Sequence, residues 1–279
     1  MSEAKPKSSI GRILVALDAS PSCLTTLEAA IELASRLEAE LEGIYIEDIN
    51  LLRLAELPFA REVRQFSASL RVLDSPQVEG QLRAHAHWVQ RLLGQLAGRS
   101  HVRYSFRTVR GMVPDELLLA ATDADLLILG RAGWSARRHV GSTARTMVRE
   151  APCQTLILQP GARLRTPLLI AYDGSPVSQR TLEIAALLWG EGVSFSVLIL
   201  TDDLQKAQSL QAHVQEWLGQ QSIQVVFHWL IGINAAALAR LARLQGCGTL
   251  ILPVGSEWLP DELLLELFEE SQCAILLVR

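Results

Sequence analysis

Residues 13–21 read Ile13-Leu14-Val15-Ala16-Leu17-Asp18-Ala19-Ser20-Pro21, and residues 168–176 read Leu168-Leu169-Ile170-Ala171-Tyr172-Asp173-Gly174-Ser175-Pro176. In both, a short apolar run stops at an aspartate and turns through a Ser-Pro pair. Asp18 matches Asp173, Ser20 matches Ser175 and Pro21 matches Pro176, at a single offset of 155. One long-period duplication is the simplest cause. The register continues through Thr26-Leu27-Glu28 and Thr181-Leu182-Glu183. It then falls to 123, where residues 126–130 (LLILG) match residues 249–253 (TLILP). The first copy therefore carries about 32 more residues, the difference between the two offsets, lying mostly within residues 49–80. Near the ends of the copies, residues 153–159 (CQTLILQ) match residues 273–279 (CAILLVR).

Each copy alternates strand-like and helix-like segments. In the first, residues 13–17 are a short strand, residues 24–37 space their apolar side chains near 3.6, and strands follow from Leu41, His101, Leu126 and Gln154. Helical stretches at 81–96, 114–121 and 143–150 separate the last four strands. The second copy predicts strands at Leu168, Phe195, Gln224, Thr249 and Ala274. Alternation of this kind implies right-handed crossovers and two tandem open, mainly parallel five-stranded sheets of an α/β, Rossmann-like class, with helices on both faces. Residues 159–167, punctuated by Pro160, Gly161 and Pro167, read as a linker between a domain at 1–162 and a domain at 163–279. The inserted segment is amphipathic and predicts one or two helices before and after Pro58, either packed on its own domain or a partner chain or closing over a ligand pocket. Pro114-Asp115-Glu116 and Pro260-Asp261-Glu262 are ordinary helix starts, with proline in the first turn and acids at the positive dipole end.

Composition narrows the function. The 279 residues carry a net charge of −4 with no dense Lys/Arg cluster, which argues against nucleic acid and against anionic membrane surfaces. No apolar run approaches a membrane span, and the first ten residues lack a signal-peptide core, so a cytoplasmic protein is expected. Cys23, Cys153, Cys247 and Cys273 form no CxxC pair and read as core filler, and the histidines build no metal site.

Open parallel sheets bind ligands beyond the carboxyl ends of their strands, where strand order reverses. Asp18 reaches that edge after the first strand, and Gly130-Arg131-Ala132-Gly133 reaches it after the fourth, continuing to Gly141-Ser142-Thr143. Paired glycines admit backbone amides close to an anion, and Ser142 and Thr143 open a helix whose dipole favours phosphate. Arg131, Arg137 and Arg138 add positive potential, while Asp18 suits a ribose hydroxyl or an adenine edge. The bland alternative is a tight turn with a capped helix. There is no GxxxxGK[ST] and no GxGxxG after either first strand, which excludes the ordinary P-loop and dinucleotide motifs.

These residues resemble the universal stress protein family, whose first strand ends in D-x-S and whose fourth is followed by G-x-x-G, nine residues and G-[ST]. The resemblance spans nearly the whole chain, twice. It implies an adenine nucleotide, ATP with Mg2+ or ADP or AMP, held by Ala16, Leu17, Asp18, Ile46, Leu129, Gly130, Gly133, Gly141, Ser142 and Thr143, with Arg131 beside them. It also implies pairing through the last strand of each domain, met within the chain or through a homodimer. One departure stands out: only residues 134–140 separate Gly133 from Gly141, two fewer than the family pattern, which leaves the phosphate number open. In the second copy the equivalent stretch, Pro253-Val254-Gly255-Ser256-Glu257-Trp258, lacks the later glycines, and Glu257, Asp261 and Glu262 would repel phosphate. The expected role is a nucleotide-binding regulatory protein. A stress protein that binds no nucleotide and a weak ATPase, with His139 the only histidine in the phosphate loop, are the alternatives.

Overall fold

The computed structural model describes residues 10–63, 70–131, 141–159, 164–190, 193–219, 223–230 and 234–279. In chain order, the N-terminal half runs β1 (Arg12–Leu17), α1 (Cys23–Leu37), β2 (Glu40–Asp48), α2 (Ile49–Ala55), β3 (Arg61–Val63), β4 (Leu70–Val72), α3 (Ser75–Arg99), β5 (Tyr104–Gly111), α4 (Val113–Ala121), β6 (Leu126–Gly130), α5 (Ser142–Glu150) and β7 (Gln154–Leu158). The C-terminal half runs β8 (Leu168–Tyr172), α6 (Pro176–Trp189), β9 (Phe195–Leu200), α7 (Leu204–Gly219), β10 (Val225–Leu230), α8 (Ala235–Leu244), β11 (Thr249–Pro253), α9 (Asp261–Glu270) and β12 (Ala274–Val278).

The α/β class is as the sequence predicts, but the two expected sheets are one. Its strand order is β10-β9-β8-β11-β12-β7-β6-β1-β2-β5, so each half repeats the order third, second, first, fourth, fifth. Pairing is parallel throughout each half and antiparallel at the seam, where Ile275, Leu276 and Leu277 face Ile157, Leu156 and Thr155. The central strands β7, β8, β9, β11 and β12 are buried along their whole length because helices cover both faces. Side chains alternate between two cores: Ile13, Val15 and Leu276 pack under α1, α3, α6 and α7, whereas Leu14, Ile157 and Leu277 pack under α4, α5, α8 and α9. Both cores cross the seam. Arg279 fastens it further, donating from Nη1 to Cys153 O and Thr155 Oγ1 and from Nη2 to Met147 O and Val148 O, the last carbonyls of α5.

The insertion departs from expectation. A helix forms before Pro58, but after it the chain turns through an Ala60 amide to Leu57 carbonyl bond and enters β3, which pairs antiparallel with β4. Pro58 lacks an amide donor, and the Leu73 amide bonding back to Ala60 O closes the hairpin instead of a helical turn. The helix expected at 81–96 is longer, Ser75–Arg99, with Pro76 in its first turn. The strand expected from His101 begins at Tyr104, because His101 adopts φ 54 where the chain leaves α3.

Candidate functional site

Strand order reverses in the N-terminal half between β1 and β6. Beyond their carboxyl ends lies a cavity of about 560 Å3. Ala16, Leu17 and Asp18 enter it from β1, Ile46 from β2, Leu129, Gly130 and Arg131 from the end of β6, and Gly141, Ser142 and Thr143 from the start of α5. Ten of the eleven residues singled out in the sequence thus share one cavity, and Gly133 lies outside the described residues. A trough of about 1080 Å3 runs along β10 and α8, lined by side chains such as Trp229, Leu241 and Leu244.

Local chemistry divides the cavity. Asp18 folds into an Asx turn in which Oδ1 accepts from the Ser20 amide at 3.1 Å and the Ser20 hydroxyl at 2.5 Å. Among the described residues no donor reaches Oδ2, so the carboxylate keeps an acceptor for a ligand hydroxyl or amine. Its charge marks this end as hostile to phosphate. Tyr45 nearby has its phenol pushed up to about 12 by burial, with Glu47 and Asp18 adding to the shift. Cys23 is likewise pushed up to about 12, by burial first and Asp18 second, and stays a protonated wall residue. At the other end Gly141 is the N-cap of α5, at φ −62 and ψ 153, and among the described residues no side chain caps it. The first-turn amides there face the cavity mouth with the positive end of the dipole behind them. Arg131 also reaches the other half: Nη1 donates to Gln159 Oε1 at 2.8 Å and Nη2 to Glu269 O at 3.2 Å, while Arg145 on α5 reaches the Glu269 carboxylate at 2.5 Å. Among the described residues, no group of three or more His, Cys, Asp or Glu gathers to hold a metal ion.

A family model, that of the universal stress protein family, matches residues 9–159, more than half of the chain. The chain belongs to the universal stress protein family. A curated relative, universal stress protein Slr1230 of Synechocystis sp., is 27% identical over 191 residues, which are 62% of this chain. The match spans about 64% of that relative's length. A solved universal stress protein from Archaeoglobus fulgidus DSM 4304 superposes with a TM-score of 0.71 at 14% identity, covering 95% of this chain and 97% of its own. A candidate universal stress protein from Pseudomonas aeruginosa UCBPP-PA14 gives 0.59 at 13% identity, covering 97% and 93%. At such identities the two structures establish the shared fold.

In this universal stress protein fold the same place in the C-terminal half is built differently. Asp173 ends β8 as Asp18 ends β1, and its Oδ1 accepts from the Ser175 amide at 2.8 Å. Its Oδ2, however, accepts from the Ser256 hydroxyl at 2.5 Å, and Ser256 Oγ in turn takes the Trp258 amide at 3.2 Å. The connection from β11 to α9 turns at Gly255, whose φ of 79 suits glycine, and lays buried Ser256 across the crevice. α9 then opens on Asp261 and Glu262. Burial pushes the Asp173 carboxyl up, but the hydrogen bonds from Ser175 and Ser256 outweigh it and hold the group below its ordinary value. Because the folded value lies below the unfolded one, this network stabilises fully above the unfolded value, about 3.9, and its contribution drains away as pH falls through the folded value. Asp173→Asn is therefore expected to flatten the acid limb of a urea-midpoint profile between about pH 5 and pH 2, while the wild-type chain loses stability there.

Sequence reasoning missed part of the wall: Thr26 from α1, Asp48 at the end of β2, Leu51 from α2, Val78, Gln81, Leu82 and His85 from α3, and Val113 and Leu117 from α4. Val78, Leu82 and His85 share one helix face, but the helix expected at 81–96 left Val78 outside it. Which cavity that face meets is a tertiary matter. The insertion thus contributes a wall of the cavity through Leu51, and α3 continues that wall.

Proposed function

We propose that the chain is a ligand-responsive regulatory protein that holds one adenine nucleotide in its N-terminal domain, residues 1–162, with residues 163–279 as a partner domain that binds none. The observation that carries this reading is the convergence on one cavity of the Asp18 carboxylate, with Oδ2 unused among the described residues, and the N-terminus of α5. A nucleotide matches that division, with ribose or base hydrogen-bonded at the acidic end and phosphate at the helix end. Ile46 and Leu129 supply apolar wall and backbone groups for the base, and Gly130 admits close approach of the ribose and phosphates. Mg2+ enters only as the companion of a triphosphate. In the C-terminal half the Ser256 hydroxyl already occupies the corresponding carboxylate, and the acids at the start of α9 disfavour phosphate. A cytoplasmic location fits a nucleotide sensor of this kind.

Titration calorimetry with ATP, ADP and AMP tests the reading. Saturation at one nucleotide per chain is expected with at least one of the three. No heat with any of them would remove the nucleotide from the proposal, and two per chain would return a site to the C-terminal half.

A further inference from the structure

Two thiols stand at the end of the sheet opposite the nucleotide cavity. Cys247 precedes β11 and Cys273 precedes β12, and these neighbouring parallel strands pair in the register Thr249 to Ala274. The Ala274 amide donates to Gly248 O at 3.3 Å, which brings the two approach segments side by side. Both side chains lie on one sheet face: Cys273 is buried in the core under α8 and α9, and half-buried Cys247 packs against that core. Ser271 Oγ stands 3.1 Å from Cys273 Sγ.

The N-terminal half supplies an internal control. Cys153 precedes β7 as Cys273 precedes β12, but the position matching Cys247 is Ala124, on the same core face. The lone Cys153 thiol is pushed up to about 11, chiefly by burial. Cys273 goes the other way, since a hydrogen bond from the Cys247 side chain, aided by Ser271, outweighs burial. Cys247 is raised by its contact with Cys273 and by burial. The two thiols are coupled, so the first of their two protons leaves more readily than that of the lone Cys153.

We propose that Cys247 and Cys273 are a redox-modification site that closes to a reversible disulfide in the presence of a hydroperoxide. The Cys273 thiolate attacks the O–O bond and takes one oxygen as a sulfenic acid, and the leaving oxygen departs as an alcohol, or as water from hydrogen peroxide. The Cys247 sulfur then attacks the sulfenic sulfur, the S–S bond forms and the oxygen leaves as water with the two protons. Two thiols and one hydroperoxide become one disulfide, one water and one alcohol or second water. The bond closes a loop over β11 and α9, the helix whose Glu269 meets Arg131 and Arg145 of the other half.

The test is peptide mapping of the full chain after hydrogen peroxide treatment, alkylation and digestion without reductant. A cross-linked peptide pair containing Cys247 and Cys273, two hydrogens lighter than the reduced pair and released by dithiothreitol, is the expected result, with Cys23 and Cys153 recovered alkylated. Cys247→Ser should stop Cys273 at the sulfenic acid, trapped as a dimedone adduct. Ala124→Cys should give the N-terminal half a second cross-link to Cys153. Recovery of both Cys247 and Cys273 as alkylated thiols in the treated wild-type chain, or a Cys273 cross-link to any other cysteine, would overturn the proposal.

Discussion

Ser142→Glu is expected to weaken adenine-nucleotide binding by at least about 100-fold, some 2.7 kcal/mol, while leaving the fold intact. Ser142 is the first residue of α5, exposed at the cavity mouth after the N-cap Gly141. A carboxylate there complements the helix dipole and adds roughly 0.3–1 kcal/mol to the helix, so loss of folding is no competing explanation. Toward a phosphate the same charge is repulsive, about 4 kcal/mol per unit charge at 4 Å in a surface-like dielectric. Ser142→Ala removes only a hydroxyl donor and should cost about 1 kcal/mol, near a fivefold change. Calorimetric titration of both variants, with thermal melts alongside, makes the check. Wild-type affinity in Ser142→Glu would place the phosphate away from α5 and undo the assignment of the site.

Leu276→Asp should abolish cooperative folding. Leu276 is fully buried in β12, paired across the seam with Leu156, and its side chain lies in the core under α1, α3, α6 and α7. The substitution removes a buried aliphatic side chain, about 2–3 kcal/mol, and buries a carboxyl group whose ionised form costs several more. Arg279, the nearest arginine in sequence, is committed to carbonyls of α5 and to Cys153 and Thr155. Against a total stability of about 5–15 kcal/mol, little margin remains. Loss of a urea transition in near-ultraviolet circular dichroism is the expected readout. Leu276→Met should keep it within about 1.5 kcal/mol, and Leu204→Asp, on an exposed position, should leave it almost unchanged. A cooperative transition in Leu276→Asp would mean the seam contributes little to the fold.

Much of this architecture was written locally. The runs ending at Asp18 and Asp173 were recognisable because a strand followed by an aspartate turn and a 3.6-periodic segment needs only near neighbours to specify it. The cavity residues after β1, β6 and at the start of α5 followed from the same rule, since all must emerge at the carboxyl edge of a parallel sheet. Where the local signal was ambiguous the reading failed: the amphipathic stretch around Pro58 fits a helix by composition, yet its second part pairs as β3 with β4.

The sequence by itself determined the alternating elements, the aspartate and glycine turns, the asymmetry between the two copies and the edge at which a ligand would sit. Each depends on residues within a few positions of one another. Only the tertiary structure decided that the last-strand pairing is met within the chain, β7 on β12, that Ser256 lies across Asp173, that α3 turns Val78 and His85 toward the cavity, and that Cys247 and Cys273 become neighbours. Those outcomes join groups at least 26 positions apart, and none has a periodicity to announce it. They are settled by which of many apolar faces and polar atoms can be buried together with their partners satisfied, a sum over the whole chain.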